Sequence, residues 1–304
     1  MRGVAALTGW QWLFIIEGLY TLVAATVFVT FFPHSPANPV SLSKLEYFSP
    51  REREILKARL LDDPSKLKTE ANITKQEFMA AVGDWKVWPH ILATICGLAN
   101  VTTLNNYAPT LVASFGFERL RSNALTSVGG WIVLCVCVIC GFIADKINKR
   151  GLIVLGLILG FWAFSLGSFL VVDSTSRDKR YALLTLAISF SVSWHPINGS
   201  WLALNAKSAG ERSIRMAMLI MAANAAGIIG GQTFQAKDKP KYHTGWGVIV
   251  TLNTLAVVFI VVANLQYRWL NKRIERSGAM ARVDDELASG ADENGLGVTR
   301  KYNL

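Results

Sequence analysis

Seven stretches of this chain stay apolar for about twenty residues or more, and no other feature restricts the fold as strongly. A helix rising 1.5 Å per residue needs about 20 residues to cross the roughly 30 Å hydrocarbon core of a bilayer. The stretches are approximately Trp12–Phe32, Pro89–Ser114, Asn123–Ala144, Gly151–Val172, Ala182–Leu204, Ser213–Phe234 and Gly245–Tyr267. In lipid only a helix or a closed barrel satisfies its own backbone polar groups, and these runs lack the two-residue alternation of barrel strands. They predict an all-α membrane protein with seven transmembrane helices. The first run follows Arg2 as a secretory signal would. It is too long for one, carries Glu17 and has no small-residue cleavage site, so it is read as a membrane helix.

Composition enters to exclude other classes. Apolar residues make up 52% of the 304 positions, with 24 glycines besides, and charged residues 17%, against about 25% in soluble domains. A disordered chain, a small disulfide scaffold and a nucleic-acid-binding domain are thereby set aside. The net charge of +10 comes from 31 Lys and Arg confined to the connections and the tail, where the positive-inside bias accounts for it. Cys135, Cys137 and Cys140 lie within one apolar run without His or carboxylate nearby, and Cys96 within another. They read as small buried apolar residues, because thiolates are costly in hydrocarbon. The four histidines, His34, His90, His195 and His243, are scattered. No catalytic residue, cofactor, metal or nucleic-acid partner is expected.

Charge sets the orientation. Residues 33–88 hold nine Lys and Arg and residues 268–304 hold seven, and with the turns at 145–150 and 205–215 one side carries 22 of the 31. That side is expected to be cytoplasmic. The chain then divides into a first membrane helix (1–32), a cytoplasmic loop with amphipathic helices (33–88), a six-helix bundle (89–268) and a cytoplasmic tail (269–304), disordered from about Ser277. Within the loop, Ser49-Pro50-Arg51-Glu52 and Thr74-Lys75-Gln76-Glu77 are capping boxes that open helices, and Ser208-Ala-Gly-Glu211 opens the sixth span in the same way.

Between the third and fourth spans stands Gly141-Phe-Ile-Ala-Asp145-Lys146-Ile-Asn148-Lys149-Arg150. It resembles the major facilitator signature G-x-x-x-D-[RK]-x-G-[RK]-[RK], with Asn148 where the pattern has Gly. Asn is the next-best residue for a left-handed turn. By this resemblance Gly141, Asp145, Lys146, Lys149 and Arg150 form a cytoplasmic gating motif, with Asp145 facing the positive N-terminal end of the sixth span. Other blocks extend the resemblance over roughly residues 9–270. Gly9-Trp10-Gln11-Trp12-Leu13-Phe14-Ile15-Ile16-Glu17-Gly18 and Asp238-Lys-Pro240-Lys-Tyr242-His-Thr-Gly245 are similar to blocks of the fungal anion:cation symporters of the allantoate permease family. Ser114–Asn123, Trp194–Trp201 and Asn205–Ser213 resemble its alternative sulfate, or sulfonate, transporter branch. The family has twelve helices in two halves with substrate at their interface, so the resemblance implies that these spans are helices 6–12 of such a transporter and that the N-terminal half is missing.

Polar residues deep in a span face a cavity or another helix. Asn100, His195, Asn198 and Asn224 share mid-depth on three spans and are the candidate substrate-binding residues. Interhelical hydrogen bonding is the alternative for each. Trp194, Asn198, Trp201 and Asn205 share one helical face, and Pro196 loosens the backbone beside His195. His195 is the mid-span group suited to carry a coupled proton. Glu17 is either a proton relay or a packing position. No Lys or Arg lies mid-span, so the charge that would balance an anion is expected from the missing half. The function expected is proton-coupled transport of a small anion across a lipid bilayer, in the plasma membrane, with this chain inactive alone. A regulatory fragment that pairs with a full-length transporter, or a seven-helix receptor, remains open.

Overall fold

The computed structural model describes residues 7–33, 39–61 and 73–288, without the side chains of 59–61, 119 and 278–288. The chain divides into two compact units, residues 1–71 and 72–304.

The first unit holds α1 (Gly9–Phe31) and α2 (Pro50–Leu61). Thr8 and Gln11 open α1, the Thr8 N–H donating to Gln11 Oε1 at 2.8 Å. Glu17 is exposed on this helix. Ser49 and Glu52 form the expected box at α2, Ser49 N–H donating to Glu52 Oε2 at 2.8 Å. On α2, Ile55 is exposed, Leu56 is half-buried and the Leu60 side chain lies outside the described residues. Between the helices, two isolated antiparallel bridges are the extended pairing among the described residues.

The second unit holds α3 (Lys75–Gly83), α4 (Val87–Ser114), α5 (Arg119–Ile147), α6 (Arg150–Leu170), α7 (Arg177–Ser191), α8 (Trp194–Leu204), α9 (Ala209–Gly231) and α10 (His243–Ala288). α4 is its axis. In its most apolar window 72% of residues are buried, against 11% for α5. Small residues make this possible. A side chain at Gly230 of α9 would strike the carbonyl of Ala99, and one at Gly97 would strike the Trp194 ring. Thr103 Oγ1 donates to the Ala99 and Gly230 carbonyls, both at 2.9 Å. α5 instead turns Trp131, Leu134, Val138, Ile139 and Phe142 outward, each at least half exposed. Such a surface suits lipid rather than water. Cys135 belongs to this outward face, and Cys96, Cys137 and Cys140 are half-buried, so the cysteines are less enclosed than expected.

Among the described residues, six helices are long and apolar enough to cross a membrane. The seventh expected span, 182–204, is two pieces, α7 and α8, broken at Val192 and Ser193. Pro196 has no N–H to return to the Val192 carbonyl, so the helix cannot run through. The freed carbonyls are taken up locally: His195 N–H donates to Val192 O at 3.0 Å and Trp194 Nε1 to Ser191 O at 2.8 Å. Backbone groups freed in an apolar setting need such substitutes.

At the far end, α10 carries on through Ser277 to Ala288, where disorder was expected. The polar sequence there continues a long apolar helix already nucleated, so each added residue gains a hydrogen bond without a new start. Residues 289–304 of the expected tail lie outside the described residues.

A test of the α4–α9 contact follows from the glycines. Gly230→Val is expected to destabilise the bundle by about 1–3 kcal/mol through overpacking. Gly227→Val, where a side chain meets nothing within 4 Å, should change little. Thermal unfolding in detergent, read by size-exclusion recovery, checks both.

Candidate functional site

Polar side chains inside the bundle fall into two seams, both anchored on α4. In the first, His90 Nδ1 lies 2.6 Å from Asn198 Oδ1 of α8. An amide oxygen only accepts, so the ring proton sits on Nδ1. Asn198 Nδ2 donates to Thr94 Oγ1 at 3.4 Å, and Thr94 Oγ1 donates to the His90 carbonyl at 2.8 Å. Trp201 meets the His90 ring edge-on at 4.7 Å, and the Asn205 amide turns back to the Trp201 carbonyl at 3.0 Å. In the second seam, Asn100 Nδ2 donates to Asn253 Oδ1 (2.8 Å) and Ile249 O (3.1 Å) of α10, and Asn253 Nδ2 donates to Ser165 Oγ of α6 at 3.1 Å. Asn264 closes α10 onto α6 through Gly151 O at 3.1 Å.

The four expected binding residues therefore separate. Asn100 and Asn198 are fully buried and hold helices together; they do not stand together with the other two in one seam. Asn224 is exposed on α9, its Nδ2 returned to Ile220 O at 2.9 Å. His195 is half-buried beside the α7–α8 break, and its Nδ1 is buried without a partner among the described residues. The face predicted on α8 exists, with Trp194, Asn198, Trp201 and Asn205 all buried, and it packs inward. Sequence reasoning missed His90, Asn253, Asn264 and Ser165. Their signal was present, since each is a polar residue in or at the end of an apolar span, but their partners lie on helices 88 to 153 residues away.

At one end of the bundle, charged groups meet around the start of α9. Arg215, wholly buried, donates to Asp84 Oδ2 at 2.6 Å and pairs with Glu211 one turn back. Lys86 joins Asp84 at 3.0 Å. Ser208 caps α9, and its hydroxyl donates to Glu77 Oε1 of α3 at 3.0 Å. Glu77 also completes the α3 capping box through Thr74. One carboxylate thus serves two helix N-termini, where negative charge is favoured.

This corrects the expectation for Asp145. The acid from outside α9 that meets its N-terminus is Glu77, brought there by the packing of α3, beside Glu211 of the helix's own first turn. Asp145 has a 75% exposed side chain and accepts from Arg150 Nη2 at 2.6 Å. The pair closes the α5–α6 turn, where Asn148 takes the left-handed conformation expected of it, φ 55° and ψ 23°. Lys146 and Lys149 are exposed, Gly141 is half-buried and Arg150 is buried. On α3, Phe78 and Met79 point outward and Ala81 faces in.

At the other end, Asp173 of the α6–α7 connection meets Lys241 at 2.6 Å and His243 at 3.2 Å. Arg180 lies 4.2 Å over the Phe115 ring and Arg177 lies 5.3 Å over that of Phe117. These contacts join segments that charge counting put on the same side, as do those around Arg215 and between Trp85 and Trp269. The Lys241 ammonium, donating to Asp173, holds its carboxyl below the usual carboxylate value.

The Major Facilitator Superfamily model matches residues 2–231. An uncharacterized transporter of Saccharomyces cerevisiae is 25% identical over 295 residues, covering 94% of this chain and 54% of the relative. The MFS-type transporter efuF of Hormonema carpetanum is 26% identical over 292 residues, covering 95% and 57%. The high-affinity nicotinic acid transporter of Saccharomyces cerevisiae is 25% identical over 273 residues, covering 88% and 48%. The chain spans about half the length of the curated relatives it matches. No solved structure matches it.

Two outcomes are expected of the charged ends. Arg215→Met leaves buried Glu211 without its cation and Asp84 with Lys86 alone and should cost about 3–5 kcal/mol; adding Asp84→Asn and Glu211→Gln should recover part of it, read by thermal unfolding. The Asp173 bridge is intact at neutral pH and lost as pH falls through its lowered pKa. Lys241→Gln raises that pKa, so hydrogen-exchange protection of residues 236–243 should begin to fall at a higher pH than in the unaltered chain.

Proposed function

Because the chain belongs to the Major Facilitator Superfamily, we propose that it works as part of a longer membrane transporter that carries a small anion with protons by alternating access. The observation that carries this reading is His195. Its Nδ1 is buried without a partner, directly beside the break between α7 and α8. Broken helices and unsatisfied polar atoms at mid-depth are where transporters place substrate and coupling ions. Asn224 supports it from α9: an exposed amide among apolar neighbours such as Ile220, Met221 and Ile228 is costly against lipid and suits a water-filled cavity or a facing helix.

In this reading His195 and Asn224 meet the substrate. Asn100 and Asn198 act behind them, holding α8 and α10 against α4, and the Gly141–Arg150 turn is the cytoplasmic gate. An N-terminal half completes the cavity and supplies a positive charge for the anion. The substrate class is an organic acid or a sulfate-like anion. Support comes from the resemblance to the allantoate permease family and from the relative named a nicotinic acid transporter, since nicotinic acid is a small carboxylate. The plasma membrane is the proposed location.

The test is uptake of nicotinate and of sulfate into vesicles, driven by an inward proton gradient, with the chain alone and joined to an N-terminal half from a relative. The joined protein should transport and the chain alone should not. His195→Gln should abolish the stimulation by the gradient, and Asn224→Ala should weaken substrate affinity about tenfold with normal expression. Asn198→Ala should instead lower expression. Unchanged proton-driven uptake in His195→Gln would sink the coupling role.

A further inference from the structure

Where α10 leaves the bundle it carries a row of cations. Arg268, Lys272 and Arg276 are spaced by four residues, on one helical face, with Arg273 beside them, and all four are exposed. Several charged residues at other span ends find partners: Arg150 has Asp145, Arg215 and Lys86 have Asp84, and Lys241 has Asp173. Among the described residues Arg268, Lys272 and Arg276 have no ion pair. Glu275 is the one acid between residues 268 and 277. A positive-inside bias explains why cations are there; what sets this row apart is that its cations lie one turn apart on a single exposed helical face.

Two tryptophans give the row its depth. Trp269, 54% exposed, meets Trp85 edge-on with ring centroids 6.5 Å apart, and the Arg273 guanidinium lies 5.6 Å from the Trp269 ring. Exposed tryptophans at the ends of membrane helices sit at headgroup level. From Arg268 to Arg276 the helix rises about 12 Å, so the row runs from that level through the headgroup layer. The helix is continuous to Ala288, which holds the cations in register.

We propose that this row is a docking surface for anionic phospholipid headgroups in the leaflet at that end of the bundle. It goes beyond the transport reading and does not depend on it. The complementarity is of charge and depth: unpaired guanidinium and ammonium groups at the height of the phosphates, with Trp269 and Trp85 in the interface beneath them. Anionic lipid attracts such juxtamembrane basic groups, each worth about a fivefold gain in binding near the surface.

The full chain in nanodiscs of phosphatidylcholine with a rising share of phosphatidylserine tests this. Energy transfer from tryptophan to dansyl-phosphatidylserine, relative to dansyl-phosphatidylcholine, reads the enrichment. The unaltered chain should prefer the anionic lipid. R268Q/K272Q/R273Q/R276Q should lower that preference at least about fivefold, while R268K/R273K/R276K should keep it and show that charge rather than packing is responsible. R121Q/R177Q/R180Q, at the opposite end, should leave it unchanged. Preference surviving in the glutamine variant, or falling equally in the opposite-end variant, overturns the proposal. So does displacement of the lipid by inorganic phosphate beyond that caused by chloride of equal ionic strength, because the row would then read free phosphate. Should the fourfold glutamine variant elute as aggregate, K272Q/R276Q decides in its place by the same ratio.

Discussion

In hydrocarbon no solvent competes for a polar side chain, so each amide, hydroxyl or imidazole inside the bundle has to find a protein partner or face a cavity. This governs how the helices around α4 are arranged. Asn100, Thr103, Thr94 and His90 reach α10, α9 and α8 from one helix. Small residues beside them let backbones come close enough for those bonds to form. Polar pairing and close packing are one arrangement: the Thr103 hydroxyl bridges the carbonyls that the absence of a side chain at Gly230 brings together.

The same scarcity of partners separates the residues that brace the bundle from those left unsatisfied. Asn198 uses both ends of its amide. His195, three residues earlier, keeps a buried nitrogen without a partner. Both lie on α8, but His195 is one position past Trp194 and so falls off the face that aims Asn198 at α4. Electrostatics at the two ends follows a related rule. Buried Arg215 is neutralised by Asp84 and Glu211, whereas Arg268, Lys272 and Arg276 on α10 stay exposed without an ion pair among the described residues.

Much of this was legible from the order of residues. The span positions, the capping boxes at Ser49 and Thr74, the N-cap at Ser208 (where Glu211 accepts from the Lys207 N–H rather than closing the expected box), and the left-handed turn at Asn148 depend on neighbours within a few positions, and local chemistry decides them. The inward face of α8 was legible for the same reason, because helical spacing alone places Trp194, Asn198, Trp201 and Asn205 together. What that face packs against was not. His90 and Asn198 are 108 residues apart, and Asn100 and Asn253 are 153 apart, so nothing in the neighbourhood of either residue announces the other.

Glu77 and Asp145 mark the boundary most clearly. Each is an acid close to a helix end, and the sequence pattern pointed to Asp145 alone as the partner for the start of α9. Only packing chooses between them: α3 lies against α9, while the α5–α6 turn closes on its own arginine. Sequence by itself determined that this chain lives in a bilayer, how many times it approaches a crossing, and which ends are basic, because those properties rest on length, hydropathy and turn chemistry. The tertiary structure decided which polar groups are consumed in holding helices together and which remain available, because that depends on which faces meet in space.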